Sequence, residues 1–310
     1  MEYRILGKTG LKVSSIGMGC WQIGGSPSWT GISDEESIAT IHRAEEIGVN
    51  LLDSAEGYGE GHSEEVIGKA LRGRRDRFVI ATKVRPEQGD PDEEKARQRI
   101  LEGCEGSLKR LQTDYIDVYQ LHAVPHENTR PIVMETLAEL KQQGKIRWFG
   151  ISSNDTDAIR TLLALGDLAT LQVGYNLLSR SGEEALSLAK AENLGTLIRV
   201  PLASGRLSGK YFVDRKFDDG DRRVERFTSE KAEAAFTKLS ELLFLTECTN
   251  RTMVQAALRF ILDTKGVTSA IPGAKNRKQL EDNAGTMDVR HLSETERVRA
   301  IEIADEAEGF

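Results

Sequence analysis

The stretch Gly17-Met-Gly-Cys-Trp-Gln-Ile-Gly24 decides between two folds for this chain. It leaves the first buried strand-like run, where an open dinucleotide-binding sheet carries G-x-G-x-x-G on the way into its first helix. The glycine spacing here is wrong for that turn, and the segment runs on into more loop. Outward from it one rhythm repeats. Strand-like apolar runs stand at 15–19, 50–54, 78–83, 116–122, 148–152, 170–175, 196–200 and 268–272, with helical periodicity between them. Eight strands alternating with helices, with no Pro/Gly/Ser linker and no break in composition, predict parallel pairing within one domain, residues 1–310. A closed (β/α)8 TIM barrel is therefore expected rather than an open doubly wound sheet.

The flanks add detail. Residues around Lys8-Thr-Gly10 alternate polar and apolar, which predicts an N-terminal β-hairpin ahead of the barrel. Ser33-Asp-Glu-Glu36 reads as a capping box that opens a helix ending at Gly48. Pro131 suits a first helical turn and Gly144 a stop; Thr252 and Gly266 bracket a later helix, and extra helices are expected at the C-terminal end. The stretch 203–228 has no clear periodicity, and long structured loops in compact domains usually carry function.

Composition narrows the function. A charge of −7 argues against a nucleic-acid groove or an anionic membrane surface as the main partner. The densest basic cluster, Arg72 to Arg77, reads as a solvated turn. Cys20, Cys104 and Cys248 are odd in number and far apart, which suits reduced thiols in a cytoplasmic protein. No metal spacing is present, no apolar run approaches membrane-spanning length, and the N-terminus has no leader pattern.

On a barrel the reactive face is the C-terminal rim of the strands. Three early strands end in polar residues: Asp53, Lys83 and His122, with Tyr58 on the loop after Asp53. Singly, each has an ordinary structural explanation: a turn cap, a solvent-reaching lysine, a satisfied imidazole, a loop anchor. Together they make a relay. A tyrosine serves as a general acid when its pKa falls from about 10 toward neutrality. A neighbouring ammonium favours that fall, and a carboxylate keeps a buried ammonium charged. Two other chemistries compete. Lys83 at a strand end suits a Schiff-base aldolase, and Asp53, Glu56, His122 and His126 offer metal-type side chains, though not at a recognised spacing.

DSAEGYG…SE, ATK, VYQLH and PLASGRLSGKY resemble, in that order, the motifs of the aldo-keto reductase superfamily, and the likeness covers nearly the whole chain. The resemblance implies Tyr58 as proton donor, Lys83 and Asp53 tuning it, and His122 positioning the carbonyl of a small aldehyde, ketone or sugar-like substrate. Hydride must then come from a nicotinamide cofactor, because side chains cannot supply it. By the same likeness Ser152 and Gln172 meet the carboxamide, and Ser153 beside them belongs to the coenzyme site. Arg199, with Pro201 and Leu202, stands where many relatives stack an aromatic ring on the nicotinamide. Gly205, Leu207 and Lys210 form the pyrophosphate clamp. Gly273, Lys275 and Arg277 form an anion-favouring turn and helix start, with Gln279 and Asn283 toward adenosine. The basic pair Lys275 and Arg277 favours NADPH over NADH. Trp21 and Trp29 are expected to wall the substrate pocket, and Ala123 after the histidine widens it. Some barrels of this superfamily instead act as coenzyme-sensing partners of other proteins.

Overall fold

The computed structural model describes residues 1–25, 29, 31–87, 92–213, 230–247 and 249–307. Cys248 and residues 214–229, which include most of the irregular stretch 203–228, lie outside them. The hairpin is present: β1 (Tyr3–Ile5) pairs antiparallel with β2 (Lys12–Ser14). The repeating unit follows as β3 (Met18–Gly19), β4 (Leu51–Asp53), β5 (Val79–Val84), β6 (Ile116–Leu121), β7 (Ile146–Ser152), β8 (Thr170–Gly174), β9 (Gly195–Arg199) and β10 (Ser269–Ala270). Each strand is parallel to the next in chain order. The first and last runs then meet. Gly17 N–H donates to the Ala270 carbonyl at 2.8 Å, Ala270 N–H to Ser15 at 2.9 Å, and Gly19 N–H to Pro272 at 3.0 Å. Those bonds close the sheet into the eight-stranded barrel.

Helices return the chain between strands: α1 (Asp34–Glu46), α2 (His62–Ala70), α3 (Glu93–Leu111), α4 (Arg130–Gln142), α5 (Thr156–Leu165) and α6 (Glu183–Ala191). Pro131 sits in the first turn of α4, where its missing N–H costs nothing. Later helices span Met253–Leu262, Arg277–Ala284 and Glu294–Glu306; full capping boxes at Thr252/Gln255 and Ser293/Glu296 start the first and the last. The box at Ser33 is only half made. Ser33 accepts from Glu36 N–H, but the Glu36 carboxylate goes to Arg277. The basic turn is also less solvated than expected. Arg75 reaches back to bond buried Asp117 at 2.7 Å, and Arg147 meets the other Asp117 oxygen at 2.9 Å. Among the described residues no helix is long and apolar enough to cross a membrane.

The barrel interior has two storeys. Leu51, Ala81, Val118, Leu197 and Ile271 form an apolar layer, and Leu6 and Val13 of the hairpin pack into the same cluster. The hairpin is fastened to the N-terminal end of β9, where Lys8 N–H donates to the Asn193 carbonyl. It is the floor of the barrel.

Candidate active site

Residues two apart on a strand share a face. Two positions beyond the apolar layer, toward the C-terminal rim, come Asp53 after Leu51, Lys83 after Ala81, Gln120 after Val118 and Arg199 after Leu197. The upper storey is therefore polar by the same alternation that makes the lower one apolar. Lys83 is fully buried and all three of its ammonium donors have acceptors: Asp53 Oδ2 at 2.7 Å, the Ser54 carbonyl at 2.7 Å and the Tyr58 hydroxyl oxygen at 3.4 Å. Asp53 Oδ1 accepts from Gln172 Nε2 at 2.7 Å and from Gln120 Nε2 at 3.5 Å.

The Tyr58 loop is built from beneath. Tyr58 N–H donates to the Ala55 carbonyl, and Ser63 N–H to that of Tyr58. Gly59 lies at φ +59°, and a Cβ there would stand 1.9 Å from the Gly24 carbonyl oxygen, so the close approach of the two loops requires glycine. Ser63 donates to the Cys20 carbonyl at 2.8 Å and meets Ser54 Oγ at 2.9 Å. Buried Glu64 accepts from Thr82 Oγ1 at 2.6 Å and Arg110 Nε at 2.7 Å. Rings surround the phenol. His122 is 5.9 Å away and edge-on, Trp21 is 6.2 Å away, and Trp29 lies edge-on to Trp21 at 5.3 Å. The four rim residues expected to converge do so, and both tryptophans join them.

The electrostatics correct one expectation. Burial pushes the Tyr58 pKa above its ordinary value; the Lys83 ammonium opposes this, and the Asp53 carboxylate adds to it. The phenol is not drawn toward neutrality, because burial outweighs the Lys83 charge, which the Asp53 carboxylate partly offsets. Burial disfavours the Lys83 charge, yet Asp53 and then Tyr58 outweigh it and hold the ammonium above its ordinary range. Burial, followed by the Lys83, Arg85 and Arg199 cations, lowers the His122 pKa to about 4. His122 is thus a neutral imidazole at physiological pH.

The second half of the rim is less uniform. Ser152 Oγ lies 3.5 Å from Gln172 Oε1, so these two stand together. Ser153 does not join them: its hydroxyl accepts from Asp155 N–H in its own loop. Asn154 binds both backbone groups of Gly174, at 2.9 and 2.8 Å, and so ties β7 to β8. Arg199 lies against Gly174, its guanidinium atoms 3.1–3.2 Å from where a Cβ would be. Its Nε is buried without a hydrogen-bond partner among the described residues. Beyond it Val200, Ala203, Ser204 and Gly205 all take positive φ. For a β-branched residue such as Val200 that is strained backbone, which clusters at functional sites. Pro201 and Leu207 are buried, while Leu202 is partly exposed and Lys210 exposed. The Asn283 amide donates to the Gly273 carbonyl at 3.3 Å, shaping that turn from a buried position. Lys275 lies over the Trp29 ring at 4.7 Å, and its N–H donates to Gln279 Oε1 at 2.9 Å. Arg277 pairs with Glu36.

This donor set fits a nicotinamide coenzyme. Gln172 is oriented by Asp53 with its carbonyl oxygen directed elsewhere, Arg199 has an unmet donor, and a helix begins beside the glycine turn. It fits a metal poorly. Glu56 is taken by Arg99 and Arg85 N–H, His126 caps a turn, and among the described residues no three His, Cys, Asp or Glu side chains assemble. Sequence reasoning missed Gln120, Ser54, Ser63 and Glu64. Gln120 had a signal, since it shares the inward parity of Val118 and His122; the other three act through contacts no pattern announces.

Comparison with known proteins identifies the family. The model of the aldo/keto reductase family matches residues 15–306. Aldo-keto reductase YhdN of Bacillus subtilis is 38% identical over 293 residues, 91% of this chain and 87% of the relative. The NADH-specific methylglyoxal reductase of Escherichia coli is 33% identical, covering 98% of each chain. A crystal structure of an aldo/keto reductase from Klebsiella pneumoniae in complex with NADP and acetate superposes with a TM-score of 0.76 at 28% identity, covering 98% of this chain and 96% of the other.

Proposed function

The chain belongs to the aldo/keto reductase family and is an NAD(P)H-dependent oxidoreductase, and on that premise we propose that it reduces a small aldehyde or ketone with Tyr58 as the proton donor. One observation carries the assignment. Lys83 donates to the Tyr58 oxygen, which leaves the phenolic O–H free for another acceptor. The substrate carbonyl oxygen is that acceptor, held between Tyr58 and neutral His122, whose ring N–H orients the oxygen without competing for the proton. When bound, the reduced nicotinamide supplies the hydride. As the phenol loses its proton, the Lys83 ammonium stabilises the phenolate, and Asp53 keeps that ammonium charged.

Ser152 and Gln172 hold the carboxamide in this reading, and Gln172 links it to Asp53. The Arg199 cation disfavours the positively charged oxidised ring, which biases the chain toward reduction. NADPH is the proposed coenzyme because Lys275 and Arg277 flank the glycine turn; among the relatives the Klebsiella protein was crystallised with NADP and the Escherichia coli enzyme is NADH-specific. A Schiff-base role for Lys83 is disfavoured, since a nucleophilic amine must be neutral and this one is ion-paired with a raised pKa. The test is a panel of small aldehydes, ketones and sugars followed by coenzyme absorbance. Tyr58→Phe is expected to lower turnover about a hundred- to ten-thousandfold while coenzyme affinity persists. Retention of most activity by that variant removes Tyr58 as the acid.

A further inference from the structure

Glu36 stands three residues after Ser33, where its carboxylate closes a capping box in other helices. Here it turns away and accepts three hydrogen bonds from Arg277: from the backbone N–H at 3.3 Å, from Nε at 3.3 Å and from Nη2 at 3.2 Å. Arg277 is the first residue of the helix Arg277–Ala284, so a protein carboxylate already occupies the anion-favouring end of that helix. Two other backbone donors nearby are met as well. Gln279 N–H is bound by Asn276 Oδ1, and Lys275 N–H by Gln279 Oε1. Glu36 is charged at neutral pH, since its hydrogen bonds from Arg277 hold its pKa below the ordinary value. The Arg277 side chain is 57% exposed and that of Glu36 34%, and exposed ion pairs are weak enough to exchange partners.

We propose that Glu36 sets the coenzyme selectivity of this chain, by competing with a ribose 2′-phosphate for Arg277. The inference rests on the reading that residues 273–283 receive the adenosine end of the coenzyme. A 2′-phosphate must displace the carboxylate and tolerate its charge nearby, whereas a free 2′-hydroxyl leaves the pair closed. Glu36 therefore narrows the margin by which NADPH is preferred over NADH, without touching the reacting atoms. The contact joins residues 241 positions apart, which is why no local motif reveals it.

The experiment measures affinities rather than turnover: NADP⁺ and NAD⁺ by quenching of tryptophan fluorescence, and adenosine 2′,5′-bisphosphate by calorimetry. The proteins are the full chain, Glu36→Gln, Arg277→Ala and the double variant. Glu36→Gln keeps the backbone N–H that Ser33 caps, so α1 is retained. It is expected to tighten NADP⁺ and the bisphosphate about fivefold, the most an exposed pair withholds, with NAD⁺ within about twofold. Arg277→Ala is expected to weaken the phosphorylated ligands and to abolish the gain in the double variant. An unchanged NADP⁺-to-NAD⁺ affinity ratio in Glu36→Gln, with both coenzymes bound, overturns the selectivity role alone. Failure of the full chain to bind either coenzyme overturns the underlying reading as well.

Discussion

Lys83 and Tyr58 differ in what burial does to them, and that difference predicts a pH profile. The phenol pKa is raised, so the proposed acid is loaded with its proton throughout the neutral range. Carbonyl reduction is expected to hold steady with pH and to fall only above about 10, while alcohol oxidation, which needs the phenolate, climbs toward that limit. Profiles of kcat/KM in both directions check this; a reduction limb that falls near neutrality contradicts it. Lys83→Met removes the one neighbour that lowers the phenol pKa, so ultraviolet titration of tyrosinate should show Tyr58 ionising at still higher pH. His122 makes a prediction about stability. Its folded pKa of about 4 lies below the ordinary 6.5, so the unfolded chain binds its proton first. The associated stability is whole above pH 6.5 and is lost as the pH falls toward 4, on the order of 3 kcal/mol in all. Urea midpoints measured from pH 7 to pH 4 should flatten in His122→Asn.

At the scale of the element, α2 is what anchors the Tyr58 loop. Its first turn carries Ser63 and Glu64, which bind the Cys20 carbonyl, Ser54, Thr82 and Arg110 behind the rim. Glu64 has no exposed surface, and Glu64→Gln leaves the Arg110 charge without its partner. A loss of about 3 kcal/mol is expected in denaturant titration, with turnover falling more than coenzyme affinity because the loop presents the acid and not the cofactor. The S-E pair was visible in the sequence as part of a motif, but its role was not. A serine and a glutamate at a helix start read as caps, and only the packing of α2 against α3 turns the glutamate inward.

At the scale of the molecule, the barrel separates stability from chemistry along its axis. The hairpin seals the N-terminal end through Leu6 and Val13, and the reactive rim lies at the other. Leu6→Ala is expected to cost about 3 kcal/mol of stability through the cavity it leaves, and to leave KM for carbonyl and coenzyme unchanged at temperatures where the variant is folded. A shift in KM there would show that the two ends are coupled.

The sequence by itself determined the eight-strand rhythm, the closed topology and the rim residues Asp53, Lys83 and His122 with the Tyr58 loop. Alternation and strand endings are local properties, and a period of two carries a residue's face with it. What only the tertiary structure decided were the interactions across the barrel: Gln172 and Gln120 on Asp53, the turning of Ser153 into its own loop, the raised pKa of Tyr58 and the Glu36–Arg277 pair. Each depends on how strands and helices far apart in the chain are brought together and on how much water they exclude. Neither distance nor dielectric is written in local order.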